Sequence, residues 1–197
     1  MEEKTLKDMI KALELGESIE ISSIPNIDLY MDQVITLFEN TLTHTKRNTD
    51  DKLLTKTMIN NYTKDKLLMP AAKKKYTKEH IIFMILLYEL KHILTIGDIK
   101  ELFGSIIKED KVDSKKLTSI YQTYLNCKVK AIETFENSVD ETMQTLTEEI
   151  HKMKLQGDKE VENMLLAIML TEKATYYKRL AEKIIDEKVK ITILNNK

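Results

Sequence analysis

The stretch INNYTKDKLLMPAAKKKYTKEHI, residues 59–81, concentrates the side chains best placed to do chemistry, and the chemistry is binding rather than bond making. Lys56, Asn60 and Lys64 recur every four residues, which sets them on one face of a helix. Lys73, Lys74 and Lys75 follow in a short connection after Pro70. Ammonium groups neutralise phosphates, and amides hydrogen-bond phosphates or base edges. A polyanion is therefore the ligand class to weigh, against the plainer reading that the lysine triplet only keeps a loop soluble.

The charge distribution favours weighing it. The 197 residues have a net charge of −1, yet residues 1–45 carry three Lys and nine acids (−6), residues 46–92 eleven Lys/Arg and five acids (+6), and residues 93–197 a balance of −1. Positive charge is confined to the segment that holds the triplet.

Other chemistries lack their signatures. With four glycines and no GxGxxG, GxxxxGK[ST] or GxSxG motif, nucleotide hydrolysis and serine-hydrolase chemistry are not expected. His44, His80, His92 and His151 form no HxxxH pair and sit in no acidic or cysteine cluster, so neither a metal nor a cofactor is expected. Cys127, the single cysteine, reads as a plain buried thiol. The longest apolar run, Ile81 to Tyr88, is too short to cross a bilayer, and the first ten residues lack the pattern of a signal peptide. A cytoplasmic protein without membrane partners and without enzymatic activity is expected.

Two prolines and four glycines among abundant Leu, Ile, Lys, Glu and Met predict an all-α chain. A short helix is expected over Glu3–Leu15, and a second through Met31, Val34, Ile35, Phe38 and Leu42, capped by Asn26 or Asp28. After a loop at Thr43–Asp51, Thr55 caps a third helix that turns Met58, Ile59 and Tyr62 inward. Thr77 opens an apolar helix reaching Ile93, and Thr95 opens another that directs Ile99, Leu102, Phe103 and Ile106 inward. From Asp113 to Gln156 neither Pro nor Gly interrupts, and Val139, Met143, Leu146, Ile150 and Met153 trace a coiled-coil seam. Gly157 and Asp158 make a turn into a last helix that folds back. Residues 1–112 thus read as one unit, and residues 113–197 as a helical hairpin whose remaining apolar surface can join two subunits or sense a ligand.

Residues 54–103 resemble the winged helix-turn-helix of MerR-type transcription regulators. The shared elements are Thr55 as cap, Asn61-Tyr62, Leu67-Leu68-Met69-Pro70, the wing Lys74-Lys75-Tyr76-Thr77-Lys78-Glu79, and Thr95 through Ile99-Lys100-Glu101-Leu102. With the preceding IPNIDLYMDQVI, the chain is more closely similar to an uncharacterised bacterial family of MerR-like domains, domain of unknown function 1836. The resemblance implies a MerR-like winged helix-turn-helix followed by the hairpin, double-stranded DNA as partner and a homodimer formed through the C-terminal helices. Carried over by position, Lys56, Thr57 and Asn60 face DNA, Tyr62 lies near the DNA backbone, and Lys74 and Tyr76 belong to the wing. Lys64, Lys73 and Lys75 complete the expected binding set. The chain departs from the MerR pattern where Asn60 and Thr57 replace arginines, where Lys66 replaces a turn glycine, and in a longer loop before Thr55. Asn60 suits adenine rather than guanine. The competing expectation is a non-catalytic protein-interaction module that keeps the fold without DNA binding.

Overall fold

Capping and apolar spacing decide where the helices begin. In the computed structural model, which describes residues 5–104, 106–108 and 111–189, Thr5 caps α1 (Leu6–Ala12), its hydroxyl accepting from the Asp8 amide at 3.2 Å. The expected start at Glu3 lies outside the described residues. Strand β1 (Leu29–Tyr30) runs directly into α2 (Met31–Leu42), which buries Val34, Phe38 and Leu42. Neither Asn26 nor Asp28 caps α2. Tyr30 takes that place, its amide donating to Gln33 Oε1 at 2.8 Å, because strand pairing fixes the chain direction up to Tyr30.

Residues 43–55 connect α2 to α3 (Lys56–Lys64), with a 3₁₀ turn at Thr43–Thr45 and the side chains of Leu53 and Leu54 buried. Thr55 caps α3, accepting from the Met58 amide at 3.1 Å. The exit is a Schellman motif: the Leu67 amide donates to the Tyr62 carbonyl at 2.8 Å and the Lys66 amide to that of Thr63 at 3.1 Å. Lys66, at φ 58°, occupies the left-handed position that glycine fills without strain. Lys66→Gly is therefore expected to stabilise the protein by about 1 kcal/mol. A urea-denaturation midpoint that fails to rise would show that the strain is absorbed elsewhere.

Strand β2 (Lys75–Tyr76) pairs antiparallel with β1, Leu29 opposite Tyr76 and Tyr30 opposite Lys75. Helix α4 (Lys78–Leu90) follows, apolar nearly all round and buried from His80 to Ile85 and at Leu87 and Tyr88, so it forms the centre of the body. It stops three residues short of the expected Ile93. Helix α5 (Ile96–Gly104) opens on a reciprocal Thr95–Asp98 cap and buries Ile99 and Phe103, with Phe103 edge-on to Phe83 at 4.9 Å. A second ribbon, β3 (Ile107–Lys108) with β4 (Lys111–Val112), leads to α6 (Ser114–Lys152), capped by Asp113.

Helix α6 is 39 residues long, about 58 Å at the α-helical rise. Its first turns are core: Leu117, Tyr121 and Leu125 join the cluster built by α2, α3, α4 and α5. The boundary expected near residue 112 is thus no break in packing. Beyond Lys128 the helix leaves the body and meets α7 (Lys159–Ile184), capped by Asp158 after Gly157 at φ 91°. The chain is mainly helical, and its C-terminal hairpin is antiparallel. Ile185, in the π-turn Ile185–Val189, returns to the body core, so both ends of the hairpin are rooted in it.

Along the expected seam Val139 and Ile150 are buried and Met143 and Leu146 half-buried, while Met153 is 68% exposed. One helix covers only part of such a stripe, and α7 buries none of its own residues. Cys127 is exposed on α6, contrary to the expected buried thiol, because it lies on the solvent side of the turn that sends Leu125 inward.

Candidate nucleic-acid interface

Helix α3 turns Ile59 and Tyr62 into the core and leaves Lys56, Thr57, Asn60 and Lys64 exposed, as its period of 3.6 dictates. The face is polar and short. At its start Lys56 Nζ lies 2.7 Å from Asp32 Oδ1 on the first turn of α2. Both side chains are mostly in solvent, so the pair contributes little to stability and yields easily to a competing phosphate.

The wing is a tight turn from Ala72 to Lys75, closed by the Lys75 amide donating to the Ala72 carbonyl at 2.9 Å. Its two central residues, Lys73 (φ 51°) and Lys74 (φ 62°), are both left-handed, positions that Asn-Gly fills in most such turns. Each lysine there gives up about 1–2 kcal/mol relative to a right-handed residue. Local stability is lost where two exposed ammonium groups are displayed.

Pairing of β1 with β2 brings this turn beside α2 and α3. Lys75 Nζ sits 5.3 Å from the ring centre of Tyr30, and Tyr30 is two residues from Asp32, which holds Lys56. Residues Tyr30–Asp32 therefore bind the wing on one side and the start of α3 on the other. Tyr30, 54% exposed, is an aromatic group of this surface that the sequence reading missed. Only the pairing of Tyr30 with Lys75, 45 positions apart, reveals it.

Two expected contacts are corrected. Tyr62 and Tyr76, 8% and 5% exposed, are core side chains and present no ring to a DNA backbone. Tyr62 lies on the Ile59 face of α3, and Tyr76 points inward from β2, edge-on to the His80 ring at 5.6 Å. Burial raises the pKa of both phenols.

The surface charge is also smaller than the segment count suggests. Lys46 pairs with Glu39 at 2.5 Å, Lys78 donates to the Ile21 carbonyl at 3.1 Å, and Lys91 donates to the Leu53 carbonyl at 3.1 Å while lying over Tyr88. Burial lowers the pKa of Lys91. These three lysines hold the body together. Arg47, Lys52, Lys56, Lys64, Lys66, Lys73 and Lys74 remain exposed.

Beneath the wing, His80 takes the third position of α4. Its Nδ1 accepts from the Thr77 amide at 3.1 Å, which leaves the proton on Nε2, buried near the Met69 and Pro70 carbonyls but without a well-aligned hydrogen bond among the described residues. Burial drives the His80 pKa down, against the opposing pull of the Pro70 and Met69 carbonyls, Glu79 and Asp28. Because the folded value lies below the unfolded one of about 6.5, the unfolded chain binds more protons as pH falls through that range, and stability falls with it. His92 is shifted in the same direction, mainly by burial. Expected is a steeper loss of melting temperature between pH 7 and 5.5 in the wild type than in His80→Gln, whose amide can make the same cap. Parallel curves for the two proteins would rule His80 out as the source.

Among the described residues no group of three or more His, Cys, Asp or Glu is placed to hold a metal, and no helix is long and apolar enough to cross a membrane. What the surface offers is exposed ammonium, amide and hydroxyl groups on a helix, with a cationic turn and an aromatic ring beside it. No curated protein and no solved structure matches the chain significantly. A family model described as Domain of unknown function (DUF1836) matches residues 19–124, from the segment before β1 to the first turns of α6. That span contains α2, α3, the wing, α4 and α5 and covers more than half of the chain, which therefore belongs to the DUF1836 family.

Proposed function

We propose that this protein is a DNA-binding transcription regulator of the MerR-like winged helix-turn-helix kind, non-catalytic, cytoplasmic and without a cofactor. In this reading α3 enters the major groove with Lys56, Thr57, Asn60 and Lys64. The wing lysines Lys73, Lys74 and Lys75 grip the flanking phosphates, and the α6–α7 hairpin joins two copies. The observation that carries it is the convergence of α3 and the lysine turn on Tyr30–Asp32. Phosphate contacts set register, while Asn60 is the side chain suited to read a base, adenine by preference.

The test is fluorescence anisotropy of the full chain with labelled duplex from the DNA upstream of its own gene and a scrambled duplex, over a series of salt concentrations. Micromolar or tighter binding that prefers the upstream duplex and weakens steeply with salt is expected. Asp32→Asn, which frees Lys56, is expected to tighten binding about threefold, the effect shrinking as salt rises. Equal affinity of Asp32→Asn and wild type would mean that Lys56 does not reach phosphate.

A second reading draws on a different surface. Met164, Ile168, Met169, Tyr176, Tyr177, Leu180 and Ile184 of α7 are 41–70% exposed, an apolar stretch suited to a protein partner. Should neither duplex bind at low salt, the protein-interaction module takes the lead, and the lysine turn is a solvated loop.

A further inference from the structure

On the α6–α7 hairpin, away from the lysine turn, one charge lies where the helical pattern calls for an apolar residue. Leu166, Leu170, Lys173, Tyr177 and Ala181 repeat at four- and three-residue spacing along α7, so Lys173 falls within the stripe that meets α6. The side chain is half-buried, and its ammonium donates to the Ser138 carbonyl at 3.0 Å, Ser138 Oγ at 2.7 Å and Thr142 Oγ1 at 2.5 Å. No carboxylate lies within ion-pair distance of it among the described residues. Its partners are neutral, and a partly desolvated cation without a counter-ion is costly.

The same ammonium borders two cavities. The larger, about 520 Å³, is lined by Ala131, Phe135, Val139, Leu170, Ala174 and Tyr177, together with the hydroxyls of Thr134 and Ser138, and contains no acid. The smaller, about 360 Å³, has Glu141 and Glu149 in its wall. An anion is thus disfavoured on one side of Lys173 and matched on the other. The larger volume lies within the range of small-molecule sites, which combine an apolar lining with a few convergent polar groups.

We propose that this cavity binds an amphipathic monocarboxylate of the medium-chain fatty-acid kind. The carboxylate displaces one of the three neutral acceptors that occupy the Lys173 ammonium and accepts from the Ser138 hydroxyl, while the hydrocarbon lies against Phe135, Val139, Leu170 and Tyr177. A monoanion fits because there is a single cation; a phosphate dianion would bring a second buried negative charge with nothing to balance it. The inference stands apart from the proposed DNA reading and holds or fails without it.

The test uses the full chain and three probes below their micelle thresholds: dodecanoate, dodecanol and dodecyltrimethylammonium, each followed by isothermal titration. Dodecanoate is expected to bind one per chain with micromolar affinity, tighter than the other two. Lys173→Met is expected to weaken it about tenfold or more, and Lys173→Arg to keep most of it. Ala131→Phe, which fills the cavity and leaves the Lys173 hydrogen bonds in place, is expected to abolish binding, with helicity by circular dichroism confirming that the hairpin is intact. Binding of dodecanol or the ammonium amphiphile as tight as dodecanoate would overturn the site, as would undiminished binding by Lys173→Met. So would a wild type that takes up no dodecanoate, whether because Lys173 serves only to fix helix register or because a second copy of the chain covers the cleft.

Discussion

Lys73→Glu/Lys74→Glu is expected to lower affinity for duplex DNA about a hundredfold at moderate salt and to reduce the slope of log affinity against log salt by about 2. The size follows from the position of the two lysines. They are the central residues of the wing turn, exposed and without protein partners among the described residues, so nothing inside the molecule shares their charge. In the proposed complex two phosphate contacts are lost and two repulsions gained. Lys75 is a poorer choice for the same experiment, because its ammonium lies over Tyr30 and its backbone belongs to β2, and a change there would mix binding with stability. A control is Lys154→Glu, which reverses one charge where the wing variant reverses two. Lys154 is also left-handed, at φ 59°, and exposed, but it closes the far end of α6. Its affinity and slope are expected to equal those of the wild type. If both variants weaken DNA binding alike, the effect comes from net charge and the wing has no particular role.

What the sequence made legible is local. Thr55, Thr77, Thr95 and Asp158 are caps whose partners lie within three residues, and Val34, Phe38, Ile59, Ile99 and Phe103 fall on core faces by helical period alone. Leu67, Leu68 and Met69 ahead of Pro70 mark a buried exit with equal economy. What escaped depends on distant partners. Whether a lysine faces solvent or a carbonyl is decided by residues 38 or 57 positions away, as for Lys91 and Lys78, and composition has no access to that. The rings of Tyr62 and Tyr76 gave no sign of their burial beyond period, because tyrosine suits a core and an interface equally well. The left-handed turn was hidden for a different reason. It is built from lysines where the usual sequence signal is Asn-Gly, so the residue types that announce such a turn are missing.

Tyr121, with Leu117 and Leu125, seats the root of α6 in the body core. Its ring is fully buried, stacked on Tyr124 at 6.1 Å, and its hydroxyl donates to the Ile19 carbonyl at 2.7 Å in the segment that precedes β1. About two helical turns further on, Lys128 donates to the Glu17 carbonyl at 3.2 Å and to Ser18 Oγ at 2.9 Å, fastening the same segment from the solvent side. Removing the hydroxyl alone, Tyr121→Phe, leaves the Ile19 carbonyl without its partner and is expected to cost about 1–3 kcal/mol. Tyr121→Ala adds the cavity and is expected to cost about 3–5 kcal/mol, a large share of the 5–15 kcal/mol available to a typical domain. Urea unfolding followed by circular dichroism measures both. The two variants separate hydrogen bond from packing: if Tyr121→Phe unfolds at the wild-type midpoint while Tyr121→Ala is crippled, the ring alone seats α6 and the crossing segment merely rests against it. If both fall in the expected order, the phenol hydroxyl is what fixes the segment around Ile19 to α6, and loosening it is expected to speed amide hydrogen exchange in that segment before the distal hairpin exchanges any faster.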